Sequence, residues 1–254
     1  SGNELQTMDL TKILTIYGRK PVLEALEDAH LTPTRLHMAV SNKPGGIVNQ
    51  IQDHAKNLGV DIQIHDRLAL SRISKNGKQD QGVALDLYCP SFVSLDEYLV
   101  HTPAPASSKS ILLDGITNPQ NVGMIIRSCS AAGVGAIFYP RKSVAALGPL
   151  VIKASVGTLF SARIVRCEDV LSTATRLQAA GHHIAVMDGN AKQSLFAFQP
   201  SKPTVFVLGG ETAGASHGVK AMADTVLRIP MHNGVESLNV AMTAVLVAYQ
   251  GHQH

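Results

Sequence analysis

The chain has 254 residues, 45% hydrophobic and 16% charged, a composition that fits a folded globular protein and excludes a disordered one. No apolar run reaches the roughly 18 residues that a membrane-spanning helix needs, and the N-terminus lacks the basic-then-apolar pattern of a secretion signal, so neither a membrane partner nor export is expected. The formal charge of +3 is mild but uneven: residues 109–254 hold 12 Lys/Arg against 7 Asp/Glu, whereas residues 1–90 hold 10 against 10, so the basic excess belongs to the second half, where a solvated basic face is the commoner reading and an RNA-binding surface the other.

Cys89, Cys129 and Cys167 are odd in number, far apart and without metal-ligand spacing. Reduced thiols in the cytoplasm are therefore expected, and neither a disulfide framework nor a metal site.

Residues 1–12 are polar and read as a flexible tail. From Ile13 to Leu26 the sequence reads as a short entry segment and then a helix, with Pro21 suited to a first helical position and Val22, Leu23, Ala25 and Leu26 giving its apolar face. Residues 36–40 read as a buried strand. Ile47, Ile51, Ala55 and Leu58 recur at helical spacing before Gly59, a natural C-terminal cap, and residues 61–65 alternate as a half-buried strand. A short helix over 68–73 and a strand over 82–87 complete an α/β domain spanning residues 13–90. The loop at 74–79, with Arg72, Lys75, Lys78 and Gln81 around it, reads first as a soluble turn and second as a phosphate-contacting loop. Residues 91–109, ending in a Pro/Ser/Ala-rich run, are expected to be a linker.

A second domain follows over residues 110–254. Strand 110–114, a polar loop, a helix from about Met124 to Ala132 and strand 136–139 make one parallel βαβ unit, whose functional groups belong at the strand's C-terminal edge. Asn118 before Pro119 is explained by turn chemistry and Asn121 by capping. Arg127 is less easily explained: it stands among Ile125, Ile126 and Cys129 on a helix expected to pack on the sheet, where an arginine seldom goes unpaired. A helix-to-loop passage at 153–160, a helix over 170–180 and strands over 183–187, 204–208 and 226–230 continue the alternation. This reads as a mostly parallel sheet covered on both faces, the α/β class.

The strand at 204–208 runs into Gly209-Gly210-Glu211-Thr212-Ala213-Gly214, and residues 229–239 lead into a last helix that is apolar at nearly every position and expected to be buried nearly all round. Glu236, Ser237 and Asn239 stand at its N-terminus, with Ser237 read either as the N-cap or as a ligand group. The fingerprint Gly-x-Gly-x-x-Gly is absent, which disfavours an NAD-linked oxidoreductase. What remains is two chain reversals whose glycines let an adenine-sized ligand approach the backbone.

Three blocks now carry a family resemblance. Asn118-Pro119-Gln120-Asn121-Val122-Gly123 with Arg127, Gly209-Gly210-Glu211 with Gly214, and Ile229-Pro230-Met231 through Ser237-Leu238-Asn239-Val240 are similar to the three motifs of the SpoU/TrmH family of RNA ribose 2′-O-methyltransferases. Residues 17–26 and Gln81-Gly82-Val83 resemble the ribosomal-protein-L30e-like substrate-binding domain of its rRNA-modifying branch. The resemblance implies a small L30e-like α/β domain before a SPOUT methyltransferase domain with a deep trefoil knot at its C-terminal end, S-adenosyl-L-methionine as cofactor, an RNA substrate and a homodimer formed through the catalytic domain. It further implies that Leu208, Gly209, Gly210, Ile229, Met231, Ser237 and Leu238 hold the cofactor and that Arg127, Asn121, Glu211, Ser237 and Asn239 form the catalytic group. A guanosine ribose in rRNA is the expected target. A tRNA 2′-O-methyltransferase and a non-catalytic RNA-binding assembly factor are the competing readings.

Overall fold

The structure, a computed structural model, describes residues 9–101, 104–210 and 215–251. The chain divides into two units, Ser1–Pro90 and Ser91–His254, each built on its own sheet.

In the first unit, β1 (Ile13–Tyr17), α1 (Arg19–Glu27), β2 (Pro33–Ala39), α2 (Gly46–Asn57), β3 (Asp61–His65), α3 (Arg67–Ser74) and β4 (Val83–Tyr88) follow in order. The sheet order is β1-β4-β2-β3, with β4 antiparallel to both neighbours and β2 parallel to β3. Period-two alternation puts Leu14 and Ile16, Leu36 and Met38, and Leu85 and Leu87 into the core. Helix α2 ends as its sequence suggests: the Leu58 N–H reaches His54 O, and Gly59 takes the left-handed φ of +71° that a side chain would resist.

The second unit contains β5 (Val93–Ser94), α4 (Leu95–Val100), β6 (Lys109–Asp114), α5 (Pro119–Ala131), β7 (Ala136–Pro140), α6 (Pro149–Ala154), β8 (Ile164–Cys167), α7 (Val170–Ala179), β9 (His183–Met187), β10 (Gln193–Ser194), β11 (Thr204–Gly209), α8 (His217–Met222), β12 (Thr225–Arg228) and α9 (Val240–Tyr249). Its sheet runs β10-β12-β9-β11-β6-β7-β8-β5, parallel throughout. Helices α4, α7 and α8 cover one face through Leu95, Tyr98, Val170, Ala174, Leu177 and Val219. On the other side α5 packs against α6 and α9. Both faces are covered, which explains why the central strands read as continuous apolar runs.

Four expectations change. The span read as a linker holds β5 and α4, because Phe92, Val93, Leu95 and Tyr98 are buried and the Ser94 hydroxyl caps the helix by accepting the Glu97 N–H at 3.1 Å. Helix α5 starts at Pro119 rather than near Met124: Asn118 Oδ1 accepts the N–H groups of Gln120 and Asn121, so Asn118 is the cap and Asn121 lies inside the first turn. Arg127 is exposed, not packed on the sheet. The buried stripe runs through Val122, Ile125, Ile126 and Cys129, and the 100° helical step turns position 127 outward. Finally, α9 is not buried all round. Met242 is 52% exposed and Tyr249 43%, opposite a buried stripe of Val240, Ala241, Ala244, Val247 and Ala248.

Candidate functional site

Parallel strands end on a common edge, and the loops leaving β9, β11 and β12 converge there. A cavity of ≈160 Å³ opens between them. Its walls include Leu208, Gly209, Gly210, Ile229, Met231, Ser237 and Leu238, seven residues from two separated stretches of sequence. Asp188, Gly189 and Val240 complete much of the remainder.

Local chemistry fixes this arrangement. Leu208 and Gly209 pair with Leu113 and Asp114, so β11 and β6 leave the sheet side by side. The Gly210 N–H then donates to Asp114 O at 2.9 Å. A Cβ at Gly210 would run into the carbonyl oxygen of Gly115, so glycine is what allows the two backbones to meet. The Asp114 carboxylate, 3% exposed, accepts both the Ser216 N–H at 2.6 Å and the Ser216 hydroxyl at 2.8 and 2.7 Å. One aspartate thereby fixes Gly210 through its backbone and Ser216 through its side chain.

The N-cap of α9 is Asn239, whose Oδ1 accepts the Ala241 N–H at 2.8 Å; Ser237 is not the cap but stands on the cavity wall. Asn239 Nδ2 donates to Asn121 Oδ1 at 3.2 Å, joining the start of α9 to the first turn of α5. Arg127 lies six residues further along α5, about 9 Å along its axis, and is not among the cavity-lining residues. Among the described residues its side chain forms no ion pair or hydrogen bond, which leaves its guanidinium available to a ligand. Glu211 and Gly214 lie outside the described residues.

One acid on the wall, Asp188, is not among the residues that the sequence singles out, whereas the other, Glu236, is, beside Ser237 at the start of the last helix. Asp188 immediately follows β9, and the rule that sites gather at the carboxyl ends of parallel strands could have found it. Its carboxyl is held below the usual carboxylate range, first by the Asn190 N–H and then by Lys220, against the opposing effect of burial.

In the first unit, a cluster of polar contacts ties three loops. The Arg19 N–H donates to Gln81 Oε1 at 2.8 Å, its Nε to Gln81 O at 3.0 Å and an Nη to Asn42 Oδ1 at 3.1 Å, while Asn42 Nδ2 donates to Gly82 O at 2.8 Å. Lys75 and Gln81 both adopt left-handed φ in the neighbouring loop. These contacts fix Gln81, at the end of the loop that the sequence marks as basic.

A doubly covered parallel sheet with a glycine-lined, largely apolar cavity at its carboxyl edge defines an α/β domain that binds a small organic ligand there. Residues 108–249 match the SpoU rRNA Methylase family, and residues 15–88 match the RNA 2′-O ribose methyltransferase substrate-binding domain. The chain belongs to the SpoU family of RNA methyltransferases, with the small substrate-binding domain ahead of the methylase domain. It is 29% identical over 233 residues to a tRNA/rRNA methyltransferase described as uncharacterized from Mycolicibacterium smegmatis, covering 91% of this chain and 74% of that protein. It is also 29% identical over 238 residues to a putative TrmH family tRNA/rRNA methyltransferase of Staphylococcus epidermidis, covering 93% and 94%. The fold is shared with a SpoU methyltransferase of Streptomyces viridochromogenes solved with AdoMet, at a TM-score of 0.61 and 24% identity over 94% of this chain and 89% of that one. An AdoMet-bound rRNA methyltransferase of Sinorhizobium meliloti is similar at a TM-score of 0.59, 21% identity and coverage of 94% and 87%. No helix among the described residues is long and apolar enough to cross a membrane.

Proposed function

We propose that the protein transfers a methyl group from S-adenosyl-L-methionine to the 2′-hydroxyl of a ribose, a guanosine of rRNA being the favoured target. The observation that carries this reading is the convergence of Leu208, Gly209, Gly210, Ile229, Met231, Ser237 and Leu238 on one cavity, the residues that the family resemblance assigns to the cofactor. Their chemistry fits a nucleoside. Leu208, Ile229 and Leu238 offer apolar faces to a flat base, and glycine backbone beside them offers N–H and C=O groups at close approach.

When bound, the cofactor supplies an already electrophilic methyl group on its sulfonium. The chain then has to orient the ribose oxygen toward that methyl group and ease the loss of the hydroxyl proton. Arg127, whose guanidinium offers donors and no acceptor, is suited to clamp the target nucleotide's phosphate and to polarise the hydroxyl rather than to accept its proton. Ser237 on the cavity wall and the Asn121–Asn239 pair orient the incoming ribose. Glu211 joins this group by its position in the second motif. The substrate-binding domain holds the RNA through the loops that Arg19, Asn42 and Gln81 tie together. The functional form is a homodimer, supported by the uncovered apolar side chains on α5, α6 and α9.

The test pairs titration calorimetry with methyl-transfer assays. Wild-type protein binds S-adenosyl-L-methionine, and Arg127→Ala keeps that affinity while losing transfer to RNA by at least roughly a hundredfold, about 2.7 kcal/mol of transition-state stabilisation. Failure of the wild type to bind the cofactor removes the proposal. Comparable turnover in the two proteins removes the role given to Arg127. Ribose-methylation maps of RNA from cells with and without the gene identify the nucleotide, and a lost tRNA site would move the substrate assignment from rRNA to tRNA.

A further inference from the structure

Asp188 stands on the cavity wall beside Gly189, Gly209 and Gly210, with a role unlike that of the backbone contacts around it. Its backbone is fixed, because its N–H donates to Leu227 O at 2.8 Å and its C=O accepts the Ala191 N–H at 3.1 Å. The carboxylate is fixed as well. Oδ1 accepts the Asn190 N–H at 3.0 Å, and Oδ2 lies 3.0 Å from Lys220 Nζ on α8. The side chain is 18% exposed, and Lys220 does not line the cavity, so the ammonium supports the carboxylate from behind.

A carboxylate has about four lone-pair positions, and here one on each oxygen is taken. Each oxygen therefore retains capacity to accept another hydrogen bond. The ammonium at 3.0 Å offsets the negative charge, which weakens attraction for a second cation without removing that accepting capacity. The other acid on the wall, Glu236, is exposed and has no cationic partner among the described residues, so a positively charged ligand group is drawn there before it is drawn to Asp188. What suits Asp188 is a pair of neutral donors close together. In a nucleoside, the vicinal hydroxyls of the ribose have that character.

We infer that Asp188, held by Lys220 and the Asn190 N–H, accepts the 2′- and 3′-hydroxyls of the cofactor's ribose and so selects a ribonucleoside methyl donor. The inference rests on the nucleoside reading of the cavity and adds to it the residue that reads the sugar. Lys220 is a positioning residue in this arrangement.

The experiment is calorimetric binding by the full chain, which needs no turnover. The ligands are S-adenosylhomocysteine, its 2′,3′-dideoxyribose analogue and S-adenosyl-L-methionine, and the proteins are wild type, Asp188→Ala and Asp188→Asn. Wild type is expected to bind the analogue roughly tenfold to a hundredfold more weakly than the parent, the range for charge-assisted hydrogen bonds. Asp188→Ala is expected to bind the parent that much more weakly and to lose the preference between the two. Asp188→Asn preserves an acceptor for the Asn190 N–H and the side-chain volume, so it supplies the same comparison if the alanine variant fails to fold; its preference is expected to shrink. A variant that folds and keeps the full wild-type preference overturns the inference while leaving the cavity reading intact. So does a variant that loses affinity for S-adenosyl-L-methionine but not for S-adenosylhomocysteine, because the carboxylate would then be answering the sulfonium charge. Wild type that binds no adenosyl ligand overturns the cavity reading, and this inference with it.

Discussion

Asp114 is buried among neutral partners, and its two contacts lie at opposite ends of a short stretch of chain, Gly210 and Ser216. Replacing it by alanine removes the acceptor of the Ser216 N–H and hydroxyl and leaves that turn without its tie to the buried end of β6. Asp114→Ala is expected to lower stability by about 1–3 kcal/mol, read as a fall in denaturant midpoint at unchanged slope. Ser216→Ala should cost less, and the double variant should cost less than the two single effects together, because both act on one interaction. His182 makes a second prediction at this scale. It is buried against Tyr98, its Nδ1 has no partner among the described residues, and burial pushes its pKa below the ordinary value. The folded protein therefore binds fewer protons than the unfolded chain as pH falls below about 6.5, so this contribution to stability is full above that pH and is lost toward acid. Replacing His182 with leucine is expected to flatten the decline in stability between pH 6.5 and 5, measured by denaturant unfolding at a series of pH values. An unchanged slope would assign that decline to other groups.

Among the elements, those with local signatures were legible in the sequence and those set by long-range partners were not. Gly59 after an apolar stripe marks the end of α2, and the β6–α5–β7 unit follows from its alternation. The start of α5 was placed late because Asn118 and Pro119 equally suit a turn; only the hydrogen bonds to the next two amide groups make them a helix start. Segment 91–109 reads as a linker from its Pro/Ser/Ala-rich end, and β5 does not correct this, since it has two residues, too few for any period, and gains its order from pairing with β8 more than 70 residues away. The α9 C-terminus shows the same dependence. Lys109, the first residue of β6, donates from Nζ to Val247 O and Gln250 O at 2.7 Å, closing carbonyls that the helix itself leaves open. Nothing near residue 247 predicts this contact. Lys109→Met keeps the apolar stem but removes the donors, and it is expected to destabilise the chain by about 1–2 kcal/mol, with amide exchange quickening first in the last turn of α9. Exchange that stays slow there would show that the last turn holds without Lys109.

For the molecule as a whole, the site residues were legible as short motifs, but their meeting was not. Loops leaving β9, β11 and β12 become neighbours because β12 inserts between β9 and β10, out of sequence order. Glu236 is marked by its place beside Ser237 and Asp188 by nothing so local, and only the sheet order puts the two acids on one wall. The expectation for α9 failed in an informative direction. A helix apolar on every side, yet covered on only one, leaves Met242 and Tyr249 exposed, and Met124 on α5 and Leu150 on α6, the helices packed on that side of the sheet, are exposed as well. The proposed homodimer covers them with the same surface of a second copy, an isologous contact in which each apolar side chain is buried twice per pair. Met242→Glu combined with Met124→Glu then introduces four charges into that contact while leaving the buried stripes of both helices untouched. Sedimentation of the wild type is expected at twice the 27.0 kDa chain mass, and the double variant is expected to dissociate at concentrations at least roughly a hundredfold higher, consistent with the loss of two or more kcal/mol at an interface centre. Wild type that sediments as a single chain, or a double variant that remains paired, would remove this face from the proposed assembly and leave its exposed methionines to be explained by the RNA.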